Sequence, residues 1–247
     1  MHDLNVIRVV NYSREHTLSI KGIEKLKNPT EIQLWGIHCG CPVNLSSAKG
    51  LKALYMGEMD GNDKYIEYVH GLSDLKELTT LSLSGKFKCD SLDLSQLKNL
   101  RGLMLEDNIS LTHLPPLSHL ENLIQLDLAA TGIRIIPEDI QFLSNLIRVD
   151  LSDLKLDDIP NWLPDLGLSF DKEGYGTGIL LRNTKIRGVD MSIFEQSYEM
   201  VVEWFKNRNK VPLNEIKVVF LGDGEAGKSH TIARLMNDGG EPDHAVF

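Results

Sequence analysis

The sequence is poor in aromatic residues and poorer in basic residues than in acidic ones. Phe, Trp and Tyr make up 6% of the 247 residues, and 35 acidic against 26 basic side chains give a formal net charge of −9. Because binding of nucleic-acid phosphates needs a basic face, this balance argues against a general nucleic-acid binder. Otherwise the net charge is that of an ordinary soluble protein, since it mainly affects solubility and non-specific binding.

Cysteines are few, and long apolar runs are missing near the N-terminus. Cys39, Cys41 and Cys89 are odd in number, and the pair Cys39-Gly40-Cys41 has no second Cys/His pair to complete a zinc site. We interpret them as reduced structural thiols of a cytoplasmic protein. The apolar run Val6–Val10 is interrupted by Arg8 and is too short for a signal peptide or a membrane span.

Leucine dominates the 42% of residues that are apolar, and it recurs in the pattern L-x-x-L-x-L. Seven copies, the first and last weaker than the others, end at Leu34, Met56, Leu83, Leu105, Leu128, Leu151 and Leu181, with spacings of 22, 27, 22, 23, 23 and 30 residues. A fixed period of this length is the signature of a solenoid. The longer spacings of 27 and 30 residues indicate insertions, and Leu18/Ile20 is a candidate cap or degenerate first repeat.

The alternating leucines predict one short strand per repeat, and identical strands stack into a parallel sheet. Each unit buries its leucines only against its neighbours. The second half of a unit, as in Ile133/Ile136-Pro137 followed by Ile140 and Leu143, predicts an extended segment or a short convex helix. Residues 30–190 resemble the leucine-rich repeat family, after an N-terminal cap or degenerate repeat over residues 1–29. The resemblance implies an α/β solenoid with a curved parallel sheet on its concave side.

A polar side chain recurs three positions after the last strand leucine of several repeats. Asn or Thr at this position can bond backbone groups exposed where the chain turns between rungs. The ladder predicted in this way is Asn108, Thr131 and Thr184, with Leu154 as an apolar interruption.

Residues between the strand leucines are predicted to face the concave surface, which solenoids use for binding. Trp35 and Tyr55 are candidates for an aromatic anchor, since such side chains are enriched at binding hot spots. The acidic residues and one basic residue complete the candidate partner-binding face: Glu106, Asp127, Asp150 and Arg182. The alternative is an ordinary solvated polar face, because exposed acids are common. Acid/base or metal chemistry by the carboxylates lacks the enclosed site it requires.

Residues 191–213 are predicted to form a capping or linker helix. Ile193, Phe194, Ser197, Met200, Val201, Trp204 and Phe205 recur at spacings of three and four, within a helical stretch from Asp190 to Lys210. Ser192 is the predicted N-cap, with Glu195 three residues later as in a capping box. We interpret Trp204 and Phe205 as closing the end of the leucine core rather than binding a ligand.

Residues 214–247 begin with an apolar strand, Ile216–Leu221, that runs into a match to G-x-x-x-x-G-K-[ST]. A strand before such a loop and a helix after it are the context in which the loop cradles phosphate, with a lysine on the β- and γ-phosphates and a hydroxyl on Mg²⁺. The alternative is a glycine-rich turn with an incidental lysine. The candidate phosphate-binding residues are Gly222, Asp223, Gly224, Glu225, Ala226, Gly227, Lys228 and Ser229, of which Ser229 is the candidate Mg²⁺ ligand.

The arrangement resembles the Roco family, in which leucine-rich repeats precede a Ras-of-complex GTPase domain and a dimerising partner domain. The resemblance rests on Leu181–Ile186, on the helix around Glu199–Phe205, and on Pro212–Lys217 with the phosphate loop. It implies GTP/GDP with Mg²⁺ as the cofactor, which the loop alone does not distinguish from ATP, and it allows a dimeric parent protein. His230 departs from the small or hydroxyl residue usual in related GTPases.

Eighteen residues follow Ser229, without a D-x-x-G switch or an N-K-x-D segment for reading guanine. We therefore expect an incomplete GTPase domain that is not catalytically competent in this chain and binds no nucleotide tightly. Two functions compete at this stage. In one, the repeats bind a protein partner or regulate the adjacent GTPase; in the other, the chain is a protein-interaction scaffold with no nucleotide-dependent function.

Overall fold

The structure, a computed structural model, describes residues 6–10, 25, 28–36, 43–57, 69–85, 92–171 and 176–208. The chain divides into two compact units, Met1–Asn209 and Lys210–Phe247, and every described residue belongs to the first. Leu18, Ile20, the end of the predicted linker helix beyond residue 208, and the whole predicted phosphate loop lie outside the described residues.

Within the described residues, nine strands form one parallel sheet, which confirms the predicted solenoid. All pairings in this sheet are parallel, and its order is β1-β2-β4-β6-β7-β8-β9-β12-β11. The strands are β1 (Val6–Val10), β2 (Glu31–Trp35), β4 (Ala53–Gly57), β6 (Thr80–Ser84), β7 (Gly102–Met104), β8 (Gln125–Asp127), β9 (Arg148–Asp150), β11 (Phe170–Asp171) and β12 (Gly178–Leu180).

The hydrophobic core is the stack of leucines that the period predicts. In-register positions of successive strands place the same kind of side chain on the inner face, and each of these side chains is fully buried. The inner column contains Ile32, Leu54, Leu81, Leu103, Leu126, Val149 and Ile179. Strand spacing is about 4.8 Å, so each leucine contacts its counterparts in both neighbouring rungs.

The turn that follows each strand uses a left-handed backbone at one fixed position. Two residues after the last strand leucine, φ is positive in the six rungs where the structure describes this position: Gly36 (66°), Gly85 (100°), Asp107 (63°), Ala130 (54°), Asp153 (59°) and Asn183 (55°). Gly, Asn and Asp tolerate this conformation, whereas alanine pays for its Cβ. Ala130 is therefore the strained member of the series.

The predicted polar ladder is present next to these turns. The amide of Asn108, fully buried, donates to the carbonyls of Leu83 (2.6 Å) and Leu105 (2.8 Å). The hydroxyl of Thr131 donates to its own rung, at the Leu128 carbonyl (2.9 Å), and that of Thr184 to the preceding rung, at the Leu151 carbonyl (2.6 Å). These side-chain bonds help to satisfy the carbonyls that the tight turns bury.

In the described part of the chain, the side of the solenoid opposite the sheet contains short 3₁₀ helices and two small parallel ladders. The 3₁₀ helices are Leu72–Asp74, Glu138–Phe142 and Leu163–Leu166, and Pro137 precedes the second of them in an extended conformation. The ladders pair β3 (Val43–Asn44) with β5 (Val69–His70), and β10 (Lys155–Leu156) with β13 (Lys185–Ile186).

The last part of the sheet departs from sequence order. β12 pairs with β9, and β11, which comes earlier in the chain, lies on the outer side of β12. The unit with 30-residue spacing thus places Phe170–Asp171 one strand position beyond β12.

The predicted single helix is divided in two, and its predicted N-cap is wrong. A 3₁₀ helix, Met191–Glu195, is capped by Asp190, whose carboxylate accepts from the Ser192 amide (3.0 Å). The helix α1, Tyr198–Asn207, is capped instead by Ser197. Extended backbone at Gln196 and Ser197 separates the two, and the Ser197 side chain accepts from the Met200 amide, which a continuous helix would use in its own backbone bonding.

The division lets aromatic side chains from three segments meet at the end of the solenoid. The ring of Phe170 lies 5.2 Å from that of Phe194 and 5.9 Å from that of Phe205, and Trp204 meets Phe205 edge-on at 5.0 Å. Phe194, Val201 and Phe205 belong to the same buried core as the leucines.

Candidate functional site

The solvent side of the nine-stranded sheet, called the sheet face below, corresponds to the predicted concave surface. Strand register aligns its side chains in columns that cross the strands. The central column reads Arg8, Gln33, Tyr55, Ser82, Met104, Asp127, Asp150, Leu180 and Asp171. Leu180 in this column is fully buried but lies outside the leucine core, so it offers no exposed contact on the sheet face.

Trp35 and Tyr55 both lie on the sheet face and are half-buried. Trp35 is paired in register with Gly57, and a Cβ at position 57 would meet the indole at 2.6 Å. The indole therefore lies against the bare backbone of the next rung, which fixes its position. At Tyr55 the register continues to Ser82, which is buried.

The aromatic pair and the acidic residues form two separate groups. Between Tyr55 and Asp127 the central column contains Ser82 and Met104, so three strand spacings, about 14 Å, separate them. We call Trp35 and Tyr55 the aromatic end, and Glu106, Asp127 and Asp150 the acidic cluster.

Within the acidic cluster, Asp127 and Asp150 are paired in register on neighbouring strands. Asp150 is 7% exposed, and its carboxylate accepts from Arg148 Nη2 (2.7 Å) and from the Ser152 amide (3.0 Å). Arg148 also donates to the Gly176 carbonyl (2.5 Å). Asp150 is thus a partnered, buried carboxylate, unlike the open one that the sequence suggested.

The negative charge of the other two carboxylates in the acidic cluster, Asp127 and Glu106, is not neutralised by Arg148. Burial raises the pKa of Asp127 to about 6, although the hydrogen bond from the Ala129 amide lowers it. The charges of Asp150 and Glu106 contribute to this raised pKa, and the charge of Arg148 opposes them. Oε2 of Glu106 is buried and has no hydrogen-bond partner within the described residues. Asp127 and Glu106 therefore form a site that favours an added positive charge.

Arg182 does not join the acidic cluster. Its side chain is exposed beside the turn at Asn183, and its carbonyl accepts from the Asp153 amide (2.8 Å). The cation that the acidic cluster does contain, Arg148, was missed by the sequence analysis. Its signal was the alternation within β9, where residues two apart share one face of a strand, so Arg148 and Asp150 are neighbours.

A second ladder was also missed. Three asparagines, each directly before a core leucine and 23 residues apart, donate their side-chain amides to carbonyls of the preceding rung. The pairs are Asn99 with Lys76 (2.9 Å), Asn122 with Lys98 (3.0 Å) and Asn145 with Glu121 (2.8 Å). The repeated Asn-Leu dipeptide at a fixed period was the available signal.

In the described part of the chain, no three His, Cys, Asp or Glu side chains are grouped closely enough to hold a metal ion. The same residues include no helix of the length and apolarity that a membrane span needs. The phosphate loop predicted at Gly222–Ser229 belongs to the residues that the structure leaves undescribed.

Comparison with known proteins finds no matching family model and no matching curated protein. Among solved structures, the chain is similar to a leucine-rich repeat protein of Leptospira interrogans, with 21% identity, TM-score 0.44 and coverage of 70% of this chain and 52% of that one. It is also similar to an internalin, InlF, of Listeria monocytogenes, with 20% identity, TM-score 0.39, and coverage of 65% and 49%. The chain thus spans about half the length of these two proteins.

Proposed function

We propose that this chain is the leucine-rich repeat interaction module of a cytoplasmic, Roco-type GTP-binding protein, and that its sheet face binds a protein partner. The observation that carries the partner-binding part is the acidic cluster, where Asp127 and Glu106 leave negative charge that Arg148 does not neutralise. The nucleotide part is supported by the sequence Gly222–Ser229 after an apolar strand.

The arrangement of the sheet face supports a partner of defined chemistry. A Lys or Arg side chain fits the acidic cluster, and an apolar side chain fits the aromatic end. The two groups are about 14 Å apart, which is the length of about four residues of extended chain. The partner segment therefore carries a basic residue four positions from an apolar one.

Peptides on an array test this proposal by varying the spacing between one Trp and one Arg from two to six residues. We expect the strongest binding at a spacing of four. Replacing both Asp127 and Glu106 by Lys removes the attraction, whereas Asp165→Lys, an exposed acid on the opposite side, is the matched control. Peptide binding that does not depend on the spacing, or that is unchanged in the variant with both Asp127 and Glu106 replaced, rules the proposal out.

A guanine-nucleotide titration tests the second part. A chain extended through a complete GTPase domain is expected to bind labelled GDP in a Mg²⁺-dependent way, through Lys228 and the Ser229 hydroxyl. Lys228→Ala weakens this binding, and residues 1–247 alone bind weakly or not at all. If the extended chain binds no nucleotide while its sheet face still binds peptides, the protein is a scaffold without a nucleotide-dependent function.

A further inference from the structure

One lateral edge of the solenoid carries a groove that the sheet face does not include. One wall, called the edge row, consists of the residues that directly precede five successive strands of the sheet. The asparagines of the second ladder, Asn99, Asn122 and Asn145, also line the groove, which has a volume of about 680 Å³. The edge row is Lys52, Thr79, Arg101, Ile124 and Ile147.

The edge row has a regular spacing because its own backbone forms a ladder. Each residue after Lys52 donates its amide to the carbonyl of the preceding member, at 2.8 Å for Thr79, Arg101 and Ile124 and at 2.9 Å for Ile147. Successive members are therefore one strand spacing apart. Lys52 to Arg101 and Arg101 to Ile147 each span two spacings, about 9.6 Å.

This distance matches the repeat of a polyproline II helix. Such a helix has three residues per turn and rises about 3.1 Å per residue, so residues i, i+3 and i+6 share one face at intervals of about 9.3 Å. A β-strand presents alternate residues instead, at intervals of about 6.6 Å, and falls out of register with Lys52, Arg101 and Ile147.

The groove is chemically asymmetric along its length. Lys52 and Arg101 are exposed and take part in no ion pair with the described residues, whereas Ile147 presents an apolar side chain that is 51% exposed. Glu77 lines the groove in the rung between the two cations. Its negative charge repels a continuous polyanion. Two carboxylates that are separated by this rung can still pair with Lys52 and Arg101.

The groove wall also suits a backbone that has no internal hydrogen bonds. Asn99 and Asn122 use their amide nitrogens on the carbonyls of Lys76 and Lys98, and their side-chain oxygens accept no bond from the described residues. Polyproline II backbone is fully solvated, so its N–H groups are free to donate to such oxygens.

We propose that the edge groove binds a polyproline II segment of a partner protein with an acidic residue at i, an acidic residue at i+3 and an apolar residue at i+6. The carboxylates lie on Lys52 and Arg101, and the apolar side chain lies on Ile147. This site is separate from the sheet face and does not depend on the function proposed for it.

Fluorescence anisotropy with three labelled peptides tests the register. The probe is Asp-Pro-Gln-Glu-Pro-Gln-Leu, which fits the edge row. The first control, Asp-Gln-Glu-Pro-Leu-Pro-Gln, has the same composition with the acids two apart, and the second, Lys-Pro-Gln-Lys-Pro-Gln-Leu, has reversed charge. We expect saturable binding of the probe alone, weakened about tenfold when NaCl is raised from about 0.05 to 0.5 M.

Variants of the full chain then locate the site. Lys52→Gln and Arg101→Gln are each expected to weaken probe binding about threefold, and the double variant about tenfold, as for exposed ion pairs. Ile147→Ser weakens it about threefold through lost apolar contact. Lys155→Gln, an exposed lysine outside the groove, leaves the affinity unchanged. Thermal unfolding of each variant verifies that the fold is intact.

Several outcomes overturn the proposal. One is binding of the two-apart control within twofold of the probe, and another is no probe binding at about 1 mM, where even weak sites are occupied. Equal binding of a single-stranded oligonucleotide means that the groove takes phosphates. Self-association that disappears in the Lys52/Arg101 double variant means that a second copy covers the groove.

Discussion

The middle rungs and the C-terminal end of the solenoid both cover the hydrophobic core of a neighbouring rung, but they use different side chains. From β6 to β9, the inner column consists of Leu81, Leu103, Leu126 and Val149, each in register with its counterpart in the next rung. At the C-terminal end, Phe170, Phe194, Trp204 and Phe205 meet at interplanar angles from 21° to 82°, with no period. Arg208 covers this group, 5.3 Å from the Trp204 ring, and pairs with Asp158 at 2.7 Å.

The difference shows what repetition can and cannot do. A rung covers its neighbour because both have the same shape, but the last rung has no neighbour of that shape. Large aromatic side chains from β11, the 3₁₀ helix Met191–Glu195 and α1 fill that place instead. The four predictions below test this contrast, from the largest expected effect to the smallest.

Removing one large core side chain from each region is expected to have the largest effect on stability. The loss of amide protection is expected to extend over different residues in the two variants. Leu126→Ala and Phe205→Ala each remove a buried side chain and are expected to lower the free energy of unfolding by about 3–4 kcal/mol. In Phe205→Ala, amide hydrogen exchange accelerates over residues 190–208 while 102–151 stay protected. In Leu126→Ala, protection falls on both sides of β8. Uniform loss of protection in both variants contradicts the contrast.

The polar ladder of the middle rungs provides the second test. Asn108→Leu leaves the buried carbonyls of Leu83 and Leu105 without the Asn108 amide, and is expected to destabilise the fold by about 2–3 kcal/mol in urea unfolding. Asn145→Ala, which removes an exposed asparagine bond, is the control and is expected to cost less than about 1 kcal/mol. Similar losses in the two variants would show that burial of the Leu83 and Leu105 carbonyls is unimportant.

The third test uses the pH dependence of Asp127. Its pKa is raised from 3.8 to about 6 in the folded chain, so ionisation is less favourable when folded than when unfolded. The resulting destabilisation is absent below about pH 4, grows between pH 4 and 6, and is complete above pH 6. With allowance for partial solvent exposure, Asp127→Asn is expected to be about 1–2 kcal/mol more stable than the parent chain at pH 8 and equal to it at pH 4.

Thermal or urea unfolding at both pH values measures this difference, and Asp165→Asn serves as an exposed control. A gain in Asp127→Asn that is the same at pH 4 and pH 8 contradicts the assignment. Because a bound cation favours the ionised carboxylate, partner affinity at the sheet face is also expected to rise as the pH increases through about 6.

The smallest expected effect concerns the left-handed turn position. Ala130→Gly relieves the Cβ strain at φ 54° and is expected to stabilise the chain by about 1 kcal/mol. Ala129→Gly, at the adjacent position where φ is not positive, is expected to destabilise it by about 0.5–1 kcal/mol. Chemical denaturation of both variants measures the difference. An equal shift of the two midpoints would exclude strain from the Ala130 Cβ as the cause.

The leucine period predicted most of the sheet correctly because one face of each strand repeats at a fixed interval. It also located Asn108, Thr131 and Thr184, whose bonds are local to the turn. Leu154, the apolar member, is accommodated because the carbonyls of Leu128 and Leu151 already accept from Thr131 and Thr184. That compensation depends on residues from neighbouring rungs and is not visible in the repeat itself.

For the candidate partner-binding residues, the sequence predicted strand positions better than it predicted burial and hydrogen bonding. Alternation placed Asp127 and Asp150 on one face, but not the burial of Asp150 or its bond to Arg148. Burial depends on the strands on both sides, and the bond depends on a side-chain conformation that the spacing does not determine. The same applies to Trp35, whose position requires Gly57 in the next rung.

The sequence by itself determined the parallel solenoid, the direction of its leucines and the polar ladder, because those features follow from a short period and from nearest neighbours. Only the tertiary structure decided that β11 lies outside β12, that the predicted helix divides at Ser197, and that Asp150 is paired while Asp127 keeps surplus charge. Those features depend on contacts between residues that are far apart in the chain and that no period relates.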